Sequence, residues 1–153
     1  MRWSILFALM LFVAAPDAVA GENASILKVL PQLLDLKGRH TLSPSLYERD
    51  AYQARLLKRP QERGGLRWAV QWRVRNRPSA VLKVKIEARS AEAGKPSTSS
   101  AFEKVLDWKN RRSQWAEIAL KGETYTAFGE LTAWRVTLWD GDQKLAESTS
   151  FLW

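Results

Sequence analysis

Leu66-Arg67-Trp68-Ala69-Val70-Gln71-Trp72-Arg73-Val74 places apolar side chains at every second position, from Leu66 to Val74. Alternation at period two puts them all on one face of a β-strand, whereas a helix would scatter them around its axis. Beyond Arg77-Pro78 the pattern resumes, with Leu82, Val84 and Ile86 between Lys83, Lys85 and Glu87. The segment 90–100 is small and polar, contains Gly94 and Pro96, and reads as a surface loop. Shorter strands are expected at 102–108 and 114–120, around the polar turn Asn110-Arg111-Arg112-Ser113. A corner with one helical turn is expected at 122–129. The strongest hairpin pairs 131–139 with 144–152 around Asp140-Gly141, a dipeptide suited to a primed turn. Thr132, Trp134, Val136 and Leu138 share one face of its first arm, and Leu145, Phe151 and Trp153 fall in phase on its second. Six strands at roughly ten-residue spacing, without helical crossovers, predict a mainly β chain folded as an antiparallel sandwich, with Trp68, Trp72 and Trp134 in the core.

Upstream, the pairs Ile26-Leu27, Val29-Leu30 and Leu33-Leu34 are loosely patterned, and Pro31 argues against one continuous helix there. Asp35-Leu36-Lys37-Gly38 reads as a turn. Ser43-Pro44 and the capping-box spacing of Ser45 and Glu48 predict a helix over 44–58, stopped before Pro60. These signals divide the chain into a leader at 1–20, an N-terminal extension at 21–63 carrying that helix, and a β-sandwich domain at 64–153. Gly64-Gly65 serves as the linker, although the segment before the helix could supply a seventh strand.

The leader combines Arg2, an apolar run from Trp3 to Ala15 and small residues at Ala18 and Ala20, the layout of a signal peptide cleaved after Ala20. About thirteen apolar residues are too few to span a hydrocarbon layer that needs ~20. No later segment is longer or more apolar, so the processed chain has no transmembrane segment. The 153 residues include no cysteine, which excludes disulfide frameworks, thiolate metal sites and cysteine nucleophiles. Export without cysteine points to a bacterial periplasmic or extracellular location. Asn23-Ala24-Ser25 matches a glycosylation sequon and is read as a chance match in such a chain.

Residues 66–153 resemble an immunoglobulin-like or fibronectin III-like sandwich. The resemblance rests on Trp68 and Trp72 in the first strand, the corner before Trp134-Arg135-Val136 and the closing Asp-Gly hairpin. The inter-sheet cysteine pair is missing, and Trp134 stands where the immunoglobulin pattern has a corner tyrosine. The whole chain is similar to small uncharacterised exported bacterial proteins ending in such a domain, through Leu42-Ser43-Pro44-Ser45-Leu46-Tyr47-Glu48-Arg49-Asp50-Ala51-Tyr52-Gln53 and Ser150-Phe151-Leu152-Trp153. The resemblance implies an architecture and no activity.

No catalytic constellation emerges. The single histidine, His40, reads as an exposed loop residue among basic neighbours. Glu48 and Asp50 are two apart on a helix and point to different sides. Asp140-Gly141-Asp142 lacks the further ligands of a calcium loop, and no phosphate-loop Lys-Ser/Thr follows Gly64-Gly65. Neither a cofactor nor a metal is expected.

Two surfaces remain. With 24 Lys+Arg against 16 Asp+Glu the formal net charge is +8. Arg67, Arg73, Arg75, Lys83, Lys85 and Arg89 lie on the outward phase of the first two strands. Set side by side, and fed by Lys58, Arg59 and Arg63, they would form a basic stripe for a polyanion. The competing reading is a solvated face diluted by Glu87 and Glu92, or one covered by the N-terminal segment. Trp115 and Trp139 fall on phases that could leave them exposed to stack on sugars; otherwise they pack under the helix or close the edge of the core. The expected function is an exported, non-catalytic binding or structural module of the bacterial envelope, touching an anionic envelope polymer, a glycan or another envelope protein rather than nucleic acid. The alternatives are a carbohydrate-binding module using tryptophan and an envelope hydrolase, which would need two carboxylates ~5–10 Å apart.

Overall fold

In a computed structural model, which describes residues 23–91 and 97–153, the alternating segments are strands and their apolar phases are buried. The signal-peptide reading of 1–20 lies outside the described residues, as does 92–96 of the expected loop. The described chain runs β1 (Ala24–Asp35), α1 (Leu46–Lys58), a 3₁₀ turn at Pro60–Glu62, β2 (Arg63–Val74), β3 (Leu82–Ala91), β4 (Thr98–Val105), β5 (Gln114–Lys121), α2 (Gly122–Phe128), β6 (Glu130–Asp140) and β7 (Gln143–Thr149). The strands form two antiparallel sheets, ordered β1-β2-β5 and β4-β3-β6-β7.

Both sheets feed one buried cluster, in which Leu66, Trp68, Val70 and Trp72 of β2 join Leu82, Val84 and Ile86 of β3 and Val136 and Leu138 of β6. Trp68 is 0% exposed. Phe102 of β4 lies 5.8 Å from its ring, and Phe128 of α2 meets it edge-on at 6.2 Å. An edge-to-face pair of this kind is worth ~0.5–1.5 kcal/mol beyond the area it buries. The cluster therefore ties α2 and both sheets together through one indole.

The loosely patterned segment before the helix is strand β1, paired with β2 from Ala24–Val74 to Asp35–Arg63. The expected boundary at Gly64-Gly65 therefore does not separate an extension from a β domain. Both glycines lie inside β2, where other backbone approaches closely. A Cβ on Gly64 would sit 2.6 Å from the Asp35 carbonyl oxygen, and one on Gly65 2.5 Å from that of Leu120. Their role is close packing, not linkage. Pro31 is tolerated because β1 is an edge strand, where a missing N–H need not break a ladder.

Helix α1 begins at Leu46, two residues after the expected start, and the capping box does not form. Ser45 makes no side-chain capping bond; its N–H donates instead to the Ser43 hydroxyl oxygen, 3.2 Å away. The helix is held by tertiary contacts. Gln53 Oε1 accepts from the Leu33 N–H at 2.8 Å, and Gln53 Nε2 donates to the Leu33 carbonyl at 2.9 Å and the His40 carbonyl at 2.7 Å. One side-chain amide thus satisfies both main-chain groups of an edge-strand residue, which blunts the edge against pairing with another chain. Leu56 is buried, and Arg63 Nε donates at 2.6 Å to the Leu56 carbonyl, which also accepts from the Arg59 N–H at 3.3 Å.

Several phase assignments change for a local reason. β3 extends through Ala91 and β4 begins at Thr98, so the ends of the expected loop are strand. β4 ends at Val105, and 106–108 leave the ladder: the Leu106 N–H donates to the Leu82 carbonyl at 2.8 Å, and Trp108 Nε1 to the Val74 carbonyl at 3.1 Å. A register shift opposite Arg89 and Ser90 turns Thr132 outward, where its hydroxyl donates to the Arg89 carbonyl at 3.1 Å. Trp134 is only half-buried, packed against the cluster. A second shift between Leu138 and Trp139 sets Ala146 opposite Leu138 in the buried face, with Leu145 half-buried against the same cluster. β7 stops at Thr149, and Phe151 is fully exposed rather than in the core. Gly141 takes a φ of +57° in the expected hairpin turn.

Candidate functional site

The expected basic stripe is divided by the topology. Arg67 and Arg73 lie on β2 in the three-stranded sheet, whereas Lys83 and Lys85 lie on β3 in the four-stranded one. Because both strands bury their other phase in the same core, these two sets of cations point to opposite sides of the molecule. The stripe required β2 and β3 to be neighbours in one sheet, and they are not.

Of these cations, Arg67 and Arg89 have partners. Arg67 donates to Glu117 and to Gln32, each at 2.9 Å. Lys85 stands opposite Glu103 on β4 and Thr137 on β6. Arg135 Nε donates to Glu87 at 2.8 Å and holds that carboxyl below the usual glutamate range. Arg89 and Arg135 lie over the Trp153 ring, 4.2 and 5.0 Å from its centroid. At the helix end, Arg59 pairs with Glu62 and the buried Arg63 with Glu130, so neither feeds a stripe.

The far end of β2 is different. There Arg73 and Arg75 meet the turn Asn110-Arg111-Arg112, and these five residues line an open cleft of about 630 Å³. β2 and β5 pair as far as Trp72–Gln114, and that register carries the turn before β5 to the end of β2. Gln71 Nε2 donates to the Ser113 hydroxyl at 3.1 Å, and Gln114 Nε2 to the Lys109 carbonyl at 3.0 Å, pinning the turn from both sides. Among the described residues, none of the four guanidiniums is in an ion pair. Arg73 Nε is buried without a hydrogen-bond partner. Sequence reasoning passed over Arg111 and Arg112 as turn residues. The adjacent arginines were the available signal, but only the β2–β5 register shows what they face.

Beside this cleft is a crevice of about 440 Å³, whose walls include Trp72, Trp115, Asp107, Lys109 and Gln114 and which shares Arg111 with it. Trp115 is 50% exposed, on the outward phase of β5 opposite Gln71. Trp139 lies on the other sheet, half-buried, its Nε1 donating to the Thr137 hydroxyl at 2.8 Å. The two tryptophans therefore cannot form one platform.

The remaining titratable groups serve the fold. Asp35 is buried; burial pushes its carboxyl up, but donation from the Arg39 N–H, the Tyr52 hydroxyl, the Arg39 side chain and the Lys37 N–H holds it well below the usual aspartate range. Tyr52 reaches it at 2.7 Å, joining α1 to the turn after β1. Burial, then donation to Asp35, push the Tyr52 phenol up. His40 is half-buried rather than an exposed loop residue, and burial, then Arg67, push its imidazole down. Asp50 is held by Arg49 at 2.9 Å. Asp140 accepts from the Ser79 and Ala80 N–H groups, each at 2.7 Å, tying the β2–β3 loop to the hairpin. Among the described residues no group of three or more His, Asp or Glu side chains is placed to hold a metal ion, and no helix is long and apolar enough to cross a membrane. Comparison with protein-family models, with curated proteins and with solved structures finds no match.

Proposed function

We propose that this chain is an exported, non-catalytic binding module of the bacterial envelope, which engages an anionic polymer through Arg73, Arg75, Arg111 and Arg112. One observation carries the reading: four guanidiniums converge on one cleft, unpaired among the described residues. Crowding like charges is unfavourable until a counter-charge arrives, and a polyanion supplies it while releasing its own counterions. The signal-peptide pattern at 1–20 supports export, and export without cysteine favours a bacterial periplasmic or extracellular location.

An immunoglobulin-like sandwich is the fold reading that accompanies this proposal. Lettering the strands in chain order, the sheets read A-B-E and D-C-F-G. That differs from the antibody constant order, ABED with CFG, only in the sheet joined by the fourth strand. In such sandwiches the strand ends and their loops commonly carry the binding surface, and the arginine cleft sits at a strand end.

The test is binding of the full chain to inorganic polyphosphate as a function of salt. Affinity should fall steeply between about 50 and about 200 mM salt, in proportion to the number of phosphates contacted. R111E/R112E should lose roughly tenfold or more, while K83E/K85E, the same charge change on the other sheet, should stay within about twofold. Equal losses in the two variants would reduce the interaction to net charge and remove the site.

A further inference from the structure

Resting on the polyanion reading above, we infer that the arginine cleft and the neighbouring crevice form one site for an acidic polysaccharide, with a sugar ring on Trp115 and the ring's carboxylate on Arg111. Arg111 belongs to both walls, so a ligand lying along the surface passes from indole to guanidinium without a gap. Trp115 and Arg73 occupy outward positions on paired strands, Trp115 opposite Gln71 and Arg73 the next outward residue along β2. In antiparallel pairs such diagonal neighbours are ~7–8 Å apart, about the span of one sugar unit with its acidic substituent.

The chemistry of the crevice favours a sugar over a nucleic acid. Asp107 and Gln114 stand in its wall with Trp115. Asp107 is paired with Lys109 at 3.5 Å and Gln114 Nε2 donates to the Lys109 carbonyl, so the side-chain oxygens of both remain able to accept from ring hydroxyls. Nucleic-acid grooves instead carry successive stacking platforms, and here the second candidate, Trp139, belongs to the other sheet. Arginine suits the acidic group, because its planar fork binds a carboxylate bidentately. The turn is also held in advance by Gln71 and Gln114, so little loop ordering is needed when the ligand arrives.

The experiment compares four probes on the full chain at one ionic strength. These are polygalacturonate (rings with charge), inorganic polyphosphate (charge without rings), dextran (rings without charge) and a single-stranded oligodeoxynucleotide. The expected result is tightest binding to polygalacturonate and negligible binding to dextran. W115A should lose roughly tenfold on polygalacturonate, the order of one aromatic stack, and stay within about twofold on polyphosphate. W115F should recover most of the loss, and its unchanged far-UV circular dichroism would show that the fold is intact. R111E should weaken both polyanions. If W115A binds polygalacturonate as the wild type does while polyphosphate binding persists, the saccharide inference fails and the polyanion reading stands. If neither polyanion binds, the underlying reading fails. Tighter binding of the oligonucleotide, with the W115A loss confined to it, would overturn the saccharide in favour of nucleic acid.

Discussion

The two ends of the three-stranded sheet treat charge in opposite ways. Where β1 runs into its turn, Asp35 is buried and satisfied by Arg39, Lys37 and Tyr52, and nearby Arg63 is bound by Glu130 and by helix carbonyls. At the other end Arg73, Arg75, Arg111 and Arg112 line a cleft, and none of them is in an ion pair among the described residues. The first end spends its charges on holding α1 to β1. The second leaves its charges available. Basic residues are abundant at both, so cation density alone does not mark a site; what separates the ends is whether the fold supplies the counter-charge.

The largest effect should come from breaking the satisfied end. Asp35→Ala removes a buried acceptor and leaves Arg39, Tyr52 and two N–H groups without it, for an expected loss of about 3 kcal/mol in urea unfolding. The same substitution should leave polyphosphate affinity of the folded protein unchanged; a parallel fall would mean that the ends are coupled. Gly64→Ala should cost about 2 kcal/mol, because its methyl would press on the Asp35 carbonyl and force β1 and β2 apart. Gly64→Ala melting at the wild-type temperature would show that this approach relaxes freely.

The pH dependence sharpens the contrast. The folded Asp35 carboxyl lies below its unfolded value, so its contribution is complete above the unfolded pKa and is lost as pH falls through the folded one. Thermal melts should therefore drop from about pH 4 downward, and Asp35→Asn should flatten that part of the profile. Tyr52→Phe removes one donor and should raise the folded carboxyl, so the acid loss still begins near about pH 4 but is smaller and complete at a higher pH; stability at neutral pH should fall by about 1 kcal/mol. The smallest effect belongs to Trp153→Ala, which removes the ring under Arg89 and Arg135 and should cost ~0.5–1 kcal/mol without altering polyanion binding. Loss of binding in that variant would draw the four-stranded face into the site.

Legibility followed local pattern. β2, β3 and β5 and the Asp140-Gly141 hairpin were readable because one face of each is dry, and period two survives in the sequence. β1 was legible only as an optional seventh strand, because an edge strand with a bulge between Ile26 and Lys28 has no long run of alternation to display. Thr132 was misplaced where a register shift inserted an extra residue, an event that leaves no trace in residue type. Of the residues lining the arginine cleft and its neighbouring crevice, Arg73, Arg75 and Trp115 stood out by their outward phase, while Arg111 and Arg112 read as turn residues.

From the residues alone came the strand positions, the hairpin and the two indoles at the centre, since alternation and burial are properties of neighbours in the chain. Only the tertiary structure decided that β2 and β3 belong to different sheets, which sends their cations apart, and that the turn before β5 closes on the end of β2. Sheet membership depends on how separate strands pair across space, and strands of either sheet carry the same alternation.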